Sequence, residues 1–261
     1  MNVATQTALI TGASGGIGYE MAKLFARDKY NLVLVARSEK KLADFARELE
    51  QQFGISARAA ALDLTAPEAP KRLFDMLQGS GINVDILVNN AGYGVLGEFA
   101  QVPTTVSLGQ IELNITALTH LTRLFVGPML ERHSGKIMNV ASTAGFQAGP
   151  LMSVYYATKA FVITFSEGLA NELKGTGVTL TCFCPGATDT NFQKRAESEK
   201  TRLFTTFRPM DVKTVAQDGY RALMKGRTVA ISGFMNWVIA ESTRFAPRKW
   251  VTAISRWLLE K

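Results

Sequence analysis

The sequence predicts a single doubly wound α/β domain, a parallel sheet of about seven strands with helices on both faces. Three observations predict it. Short unbroken apolar runs alternate with segments of helical apolar spacing along most of the 261 residues, the pattern of strands buried on both faces and the helices that cover them. A glycine-rich turn joins the first apolar run to the first helical one, where open α/β sheets receive phosphate-bearing ligands. No linker, repeat or low-complexity segment interrupts the pattern, and a wide α/β sheet holds residues 1–261 in one domain.

Ala8-Leu9-Ile10 reads as the first strand. Ile17, Met21, Leu24 and Phe25 follow at helical spacing, and Leu32 to Val35 is the second strand. Leu42, Phe45, Ala46, Leu49 and Phe53 stripe the next helix. Ala57 to Leu62 is the third strand, ended by Asp63, and Leu73, Met76 and Leu77 mark the third helix. Val84 to Val88 runs into Asn89-Asn90-Ala91-Gly92. One long helical stretch covers about Thr104 to Glu131, and Lys136 to Val140 is the fifth strand. A helix from Tyr155 to about Lys174 stops at Gly175 and Gly177. Val178 to Cys184, closed by Pro185-Gly186, is the sixth strand and Thr228 to Ser232 the seventh. Residues 234–261 form an amphipathic C-terminal extension.

Composition narrows the function classes. A net charge of +7 raises nucleic acid or an anionic membrane as partners. No Lys/Arg block with interleaved aromatics is present, so no nucleic-acid role is expected. Cys182 and Cys184 alternate in a strand and face one side; with His120 and His133 they are too few for a disulfide framework or a metal set, and no metal is expected. The N-terminus lacks the basic and apolar regions of a signal peptide. No apolar run approaches the roughly 18 residues of a spanning helix. The expected compartment is the reducing cytoplasm.

Tyr155 and Lys159 carry the sharpest chemical signal. Side chains at i and i+4 share a helix face, and an ammonium near a phenol lowers the phenol's pKa from about 10. A tyrosine tuned in this way exchanges a proton near neutral pH. Ser142 ends an apolar run and offers a second hydroxyl. In the turn Thr11 to Gly18, Gly12, Gly16 and Gly18 let the backbone approach a pyrophosphate at a helix N-terminus, with Ser14 and Ile17 in the same cradle. Tyr156 is left to packing, since Ala160 stands four positions later.

The ordered set Thr11-Gly12-x-x-x-Gly16-Ile17-Gly18, Asp63, Asn89-Asn90-Ala91-Gly92, Asn114, Ser142, Tyr155-x-x-x-Lys159 and Pro185-Gly186 resembles the short-chain dehydrogenase/reductase family over about residues 5–232. The resemblance implies a Rossmann-type fold and an oxidoreductase that interconverts a carbonyl and an alcohol. It implies that Ser142 binds the substrate oxygen and Tyr155 is the general acid/base. Lys159 favours the tyrosinate and holds the nicotinamide ribose, and Asn114 anchors a water leading from Lys159 to solvent. Asp63 contacts the adenine beside Leu64, or only caps the next helix. Asn90, Ala91 and Gly92 line the cofactor path, although Asn89 or Asn90 also suits a strand-tying role. Pro185, Gly186, Thr188 and Thr190 lead to the carboxamide, the threonines competing with turn capping. NAD-binding members usually carry an acid after the second strand; Arg37 and Ser38 stand there, and a guanidinium suits a 2′-phosphate. NADP(H) is therefore expected over NAD(H), although the second basic residue of many NADP-preferring relatives is replaced by Gly15.

Substrate contacts are implied from Tyr93 to Phe99, from Phe146 to Met152 and from Thr188 to Met210, within a substrate loop or lid at 187–212. Phe146, Leu151, Met152, Phe192, Phe204, Phe207 and Met210 suit an apolar pocket for a hydrophobic carbonyl or alcohol, or ordinary core. The charge-rich stretch Lys194 to Arg202 fits a lid or a solvated helix face. In the tail, Trp250, Ile254, Trp257 and Leu258 recur at helical spacing beside Arg248, Lys249 and Arg256. Packing on the pocket rim or another subunit is the preferred expectation there, a membrane surface the other. A homodimer or homotetramer through the helices around Asn114 and Tyr155 is implied by resemblance alone. Two other functions stay open: an epimerase or dehydratase using the same Tyr-Lys pair, and a non-enzymatic NADP(H)-dependent binding protein.

Overall fold

The computed structural model describes residues 6–196, 198–206 and 208–260, and the seven expected strands are present in chain order. They are β1 (Thr7–Thr11), β2 (Asn31–Ala36), β3 (Ala57–Ala61), β4 (Ile86–Asn89), β5 (Gly135–Val140), β6 (Val178–Cys184) and β7 (Val229–Ile231). All pair in parallel, in the spatial order β3-β2-β1-β4-β5-β6-β7. Chain order reverses between β1 and β4. That reversal opens a crevice beyond the carboxyl ends of the strands, the place where this architecture binds ligands.

Strand alternation divides the core between the two faces. Ile10, Leu34 and Val88 pack under α1 (Gly16–Arg27), α2 (Glu39–Phe53) and, through Val215 and Leu223, the later helix Val212–Met224. Leu9, Val33, Val35 and Leu87 pack under α3 (Ala69–Gly79) and, through Leu121 and Phe125, under the helix Leu118–Glu131. Each fully buried Leu, Val or Phe contributes about 1.5–3 kcal/mol before entropy is counted. Asn89 and Asn139 interrupt these apolar runs side by side in β4 and β5. Asn89 Nδ2 donates to Asn139 Oδ1 and Thr122 Oγ1 at 3.0 Å each, and Asn139 Nδ2 donates to Ser166 Oγ at 3.0 Å. Asn89 thus ties strands together, as one of its two readings anticipated.

The long helical stretch is present over the expected residues, with a π-helical segment inside it. It consists of α4 (Thr104–Ile111), a π-helical segment Glu112–Ala117 and α5 (Leu118–Glu131). Next come a 3₁₀ turn (Thr143–Phe146), α6 (Ser153–Glu172), α7 (Phe192–Ala196), α8 (Arg202–Thr206) and α9 (Val212–Met224). The extension holds α10 (Phe234–Ser242) and α11 (Arg248–Leu259). Its apolar stripe is not the packed face. Ser255 and Leu259 are buried, whereas Trp250, Ile254 and Trp257 are exposed. At about 100° per residue these two sets lie on opposite sides of one helix. Arg202 fixes that orientation, donating to Trp257 O at 3.1 Å and pairing with Glu260 at 3.2 Å. Among the described residues no helix is long and apolar enough to cross a membrane.

Candidate active site

A cavity of about 1350 Å³ occupies the crevice and runs from α2 to the C-terminal helices. The turn between β1 and α1 forms one wall, through Gly12, Ser14, Gly16 and Ile17. Gly12 and Gly16 adopt φ of +67° and +60°, the left-handed region that glycine enters without strain. Gly18 is not on the wall. It lies beneath the turn, where an added Cβ would stand 2.5 Å from Asn90 Nδ2 and 2.7 Å from the Gly12 carbonyl. Its role is close packing of helix on strand rather than ligand contact. Thr11 ties the turn to β4: its hydroxyl donates to Val88 O at 3.3 Å and accepts from the backbone of Asn90 and Ala91 at 2.9 Å each. Asn90 Nδ2 returns a bond to Thr11 O at 2.9 Å. The bare N-terminus of α1 above this cradle suits a pyrophosphate.

Basic groups gather at the α2 end. Arg37 and Ser38 line the cavity, as does Lys41, which the sequence reading passed over. Lys41 stands four positions after Arg37, and that spacing was the available signal. No acid occupies the end of β2. Asp63 and Leu64, just beyond the end of the neighbouring strand β3, also line the cavity. Asp63 Oδ1 accepts from Thr65 N at 3.0 Å and Thr65 Oγ1 at 2.8 Å, so the carboxylate caps its own turn. Those bonds, with help from Arg37, hold its pKa below the ordinary carboxylate value. Ala91 and Gly92 continue the wall toward the middle of the cavity.

Ser142, Tyr155 and Lys159 meet at that middle, all three on the cavity wall. Ser142 follows β5 in an extended conformation; its hydroxyl accepts from Ala144 N at 3.1 Å and donates to Pro185 O at 3.4 Å. Tyr155 and Lys159 project from the first turns of α6 and are both buried. Two glycines let the backbone close on them. A Cβ at Gly94 would lie 2.8 Å from the Tyr155 ring, and one at Gly145 would lie 2.7 Å from Lys159 O. Lys159 Nζ donates to Val140 O at 2.8 Å and stands 5.7 Å from the Tyr155 ring centroid.

The electrostatics correct one expectation. Lys159 does not, by itself, bring the phenol below its ordinary value. Burial pushes Tyr155 upward and outweighs the opposing pull of Ser142. Burial also pushes the Lys159 amine down to about 8, with Cys182 and Cys184 beneath it acting the other way. Burial thus favours the neutral form of both groups, the protonated phenol and the uncharged amine.

Asn114 is placed behind the wall rather than on it. It lies in the π-helical segment, its Oδ1 accepting from Tyr93 N at 3.1 Å and its Nδ2 donating to Tyr93 O at 2.9 Å and Thr158 Oγ1 at 3.0 Å. A Cβ at Gly92 would fall 3.0 Å from Asn114 Oδ1 and 3.5 Å from Lys159 Nζ, so amide and amine are neighbours across that glycine. Pro185, Gly186, Thr188 and Thr190 line the next part of the cavity. Both threonine hydroxyls have protein partners. Thr188 Oγ1 donates to Gly186 O at 2.9 Å, and Thr190 Oγ1 accepts from Phe192 N at 3.2 Å.

Of the seven apolar residues proposed for a substrate pocket, Met152, Phe192, Phe204 and Met210 line the cavity. Phe146 and Leu151 are absent from the wall and pack in neighbouring core clusters, while Phe207 lies outside the described residues. Val95, within the expected stretch Tyr93 to Phe99, joins the wall, as do Val106, Phe234, Met235 and Ile239, which were missed. The extension was read for its tail helix alone, although Phe234-Met235 and Ile239 carried the same i, i+4 signal. Among the described residues no cluster of His, Cys, Asp and Glu suits a metal ion.

The family profile described as short chain dehydrogenase matches residues 6–201. Ketoacyl reductase HetN of Nostoc sp. is 35% identical over 181 residues, 69% of this chain and 63% of its own length. Very-long-chain 3-oxoacyl-CoA reductase-A of Danio rerio is 34% identical over 182 residues, 68% of this chain and 56% of its own length. The chain spans about three-fifths of the length of these curated relatives. The solved short-chain dehydrogenase from Sphingobium yanoikuyae in complex with NADPH superposes with a TM-score of 0.83 at 33% identity, covering 92% of this chain and 94% of that one.

Proposed function

The chain belongs to the short-chain dehydrogenase family, and on that premise we propose that it is an NADP(H)-dependent oxidoreductase that interconverts a hydrophobic carbonyl compound and its alcohol. The observation that carries the reading is the meeting of Ser142, Tyr155 and Lys159 on the wall of one cavity whose other end is a glycine-lined helix N-terminus. NADPH, when bound, supplies a hydride to the carbonyl carbon. Ser142 donates a hydrogen bond to the carbonyl oxygen, which gathers charge as the carbon is reduced. Tyr155 gives that oxygen its proton and, in the oxidative direction, takes it back. The ammonium of Lys159 favours the tyrosinate left behind. Asn114 holds the loop at Tyr93 against α6 and stands on the path by which Lys159 regains a proton.

Arg37 and Lys41 support NADP(H) over NAD(H), because both place cationic groups where a 2′-phosphate adds negative charge. The apolar wall of Met152, Phe192, Phe204 and Met210 supports a hydrophobic substrate. Named activities of the relatives make 3-oxoacyl thioesters the first class to try. Leu108, Ile111 and Phe161 leave apolar surface on α4 and α6, which supports a homodimer or homotetramer through those helices.

Tyr155→Phe tests the acid role. Turnover of NADPH with a reducible ketone is expected to fall about 100-fold or more, the usual contribution of a positioned acid. NADPH binding, followed by fluorescence titration, is expected to persist. Unchanged turnover would remove Tyr155 from the chemistry.

A further inference from the structure

Helices that cover a sheet turn their apolar stripe inward, and α1, α2 and α9 do so. The C-terminal pair does the opposite. The three tryptophans of the chain all stand here, with exposures of 49% for Trp237, 62% for Trp250 and 51% for Trp257. Phe234 is 76% exposed, and Phe245, in the short connection between the helices, is 88% exposed. On α11, Trp250, Ile254 and Trp257 follow the i, i+4, i+7 spacing of one continuous stripe. Lys249 and Arg256, seven positions apart, flank it on one side.

The charge around this face is positive. Residues 234–260 hold Arg244, Arg248, Lys249 and Arg256 against Glu241 and Glu260. Glu241 is paired with Arg244 at 3.3 Å, and Glu260 with Arg256 at 3.1 Å and Arg202 at 3.2 Å. Arg248 and Lys249 are exposed and have no ion pair among the described residues. A second copy docking on this face about a two-fold axis would bring the same cations together, which association disfavours. An anionic surface complements them. Tryptophan suits such a boundary, because its ring seeks the apolar side and its N–H the wet side. Neither α10 nor α11 is long and apolar enough to cross a bilayer, so contact with one would be along its surface.

We propose that α10, the connection 243–247 and α11 form a docking surface for an anionic lipid bilayer. Phe234, Met235 and Ile239 of α10 are exposed and also line the cavity, so on this proposal the mouth of the cavity opens against the lipid. A lipophilic substrate reaches the site from the bilayer without crossing water.

Flotation of the full chain with phosphatidylcholine vesicles, with and without phosphatidylserine, tests the proposal independently of any activity. The protein is expected to float with the phosphatidylserine vesicles, with a blue shift of tryptophan emission and binding that weakens as salt rises. The pair R248E/K249E is expected to lower the partition coefficient by about tenfold or more. The triple change W250S/I254S/W257S is expected to abolish binding. Circular dichroism and thermal melting of both variants, expected to match the parent, separate a lost surface from a lost fold. Three results would overturn the proposal: no binding of the parent to phosphatidylserine vesicles, equal binding to both vesicle types that ignores R248E/K249E, or variants that dissociate an oligomer in sedimentation equilibrium while vesicle binding stays intact.

Discussion

Burial acts on the two central groups in the same sense, disfavouring the charged form of each. It raises the Tyr155 phenol and lowers the Lys159 amine to about 8 from its ordinary value of 10.5. A lysine depressed in this way makes the unfolded chain hold a proton that the folded chain lacks, so stability rises with pH between about 8 and 10.5. Below the lower value the full penalty is present. Lys159→Met removes it. The stability of the parent relative to this variant, from urea unfolding, is therefore expected to rise between pH 8 and 10 by on the order of 2 kcal/mol. A flat difference would mean that the amine is not desolvated. Turnover of the variant is expected to be lost at every pH. Arg37 allows a second test at the same scale. Arg37→Asp is expected to invert the preference from NADPH to NADH in kcat/KM, because an acid repels a 2′-phosphate and accepts from ribose hydroxyls. Identical preference before and after would detach Arg37 from the cofactor.

At the scale of the element, the β1–α1 turn is the most constrained piece of backbone. Gly18→Ala would press a methyl group against Asn90 Nδ2 and the Gly12 carbonyl. Overpacking of that kind costs about 1–3 kcal/mol, and the shift it forces passes through Asn90 into the wall of the cavity. Thermal melting is expected to drop by several degrees, with a weakened NADPH titration. A variant melting like the parent and binding NADPH equally would contradict the packing account. The strands and the Tyr-Lys helix were legible because buried strands and i, i+4 pairs leave a periodic trace. The π-helical segment at Asn114 was not, because the partners of the Asn114 side chain, Tyr93 and Thr158, are distant in sequence. The tail shows the limit of periodicity most clearly. Its spacing revealed an amphipathic helix, but whether the apolar stripe faces protein or the outside is decided by Ser255 and Leu259 being buried on the other face. The upward push on Tyr155 was equally hidden, since burial is a property of the assembled site and not of the motif.

The whole molecule places two dissimilar ends in one cavity, a basic, glycine-lined end at β1, β2 and α2 and an apolar end among α7, α8, α10 and α11. A ligand that binds only the folded state raises its stability, by about 2.7 kcal/mol at a hundredfold excess over Kd. NADPH is expected to raise the melting temperature more than NADH at equal concentration, and Arg37→Asp to cancel the difference. The central claim is a net transfer of hydride, which an epimerase or dehydratase with the same Tyr-Lys pair does not make. The most direct measurement uses NADPH labelled with deuterium on the transferring face of C4, mixed with a 3-oxoacyl thioester or another hydrophobic ketone. The expected result is NADPH consumption matched by an alcohol product carrying one deuterium at the former carbonyl carbon, lost in Tyr155→Phe. A substrate inverted or dehydrated while the labelled NADPH is recovered unchanged would contradict the account.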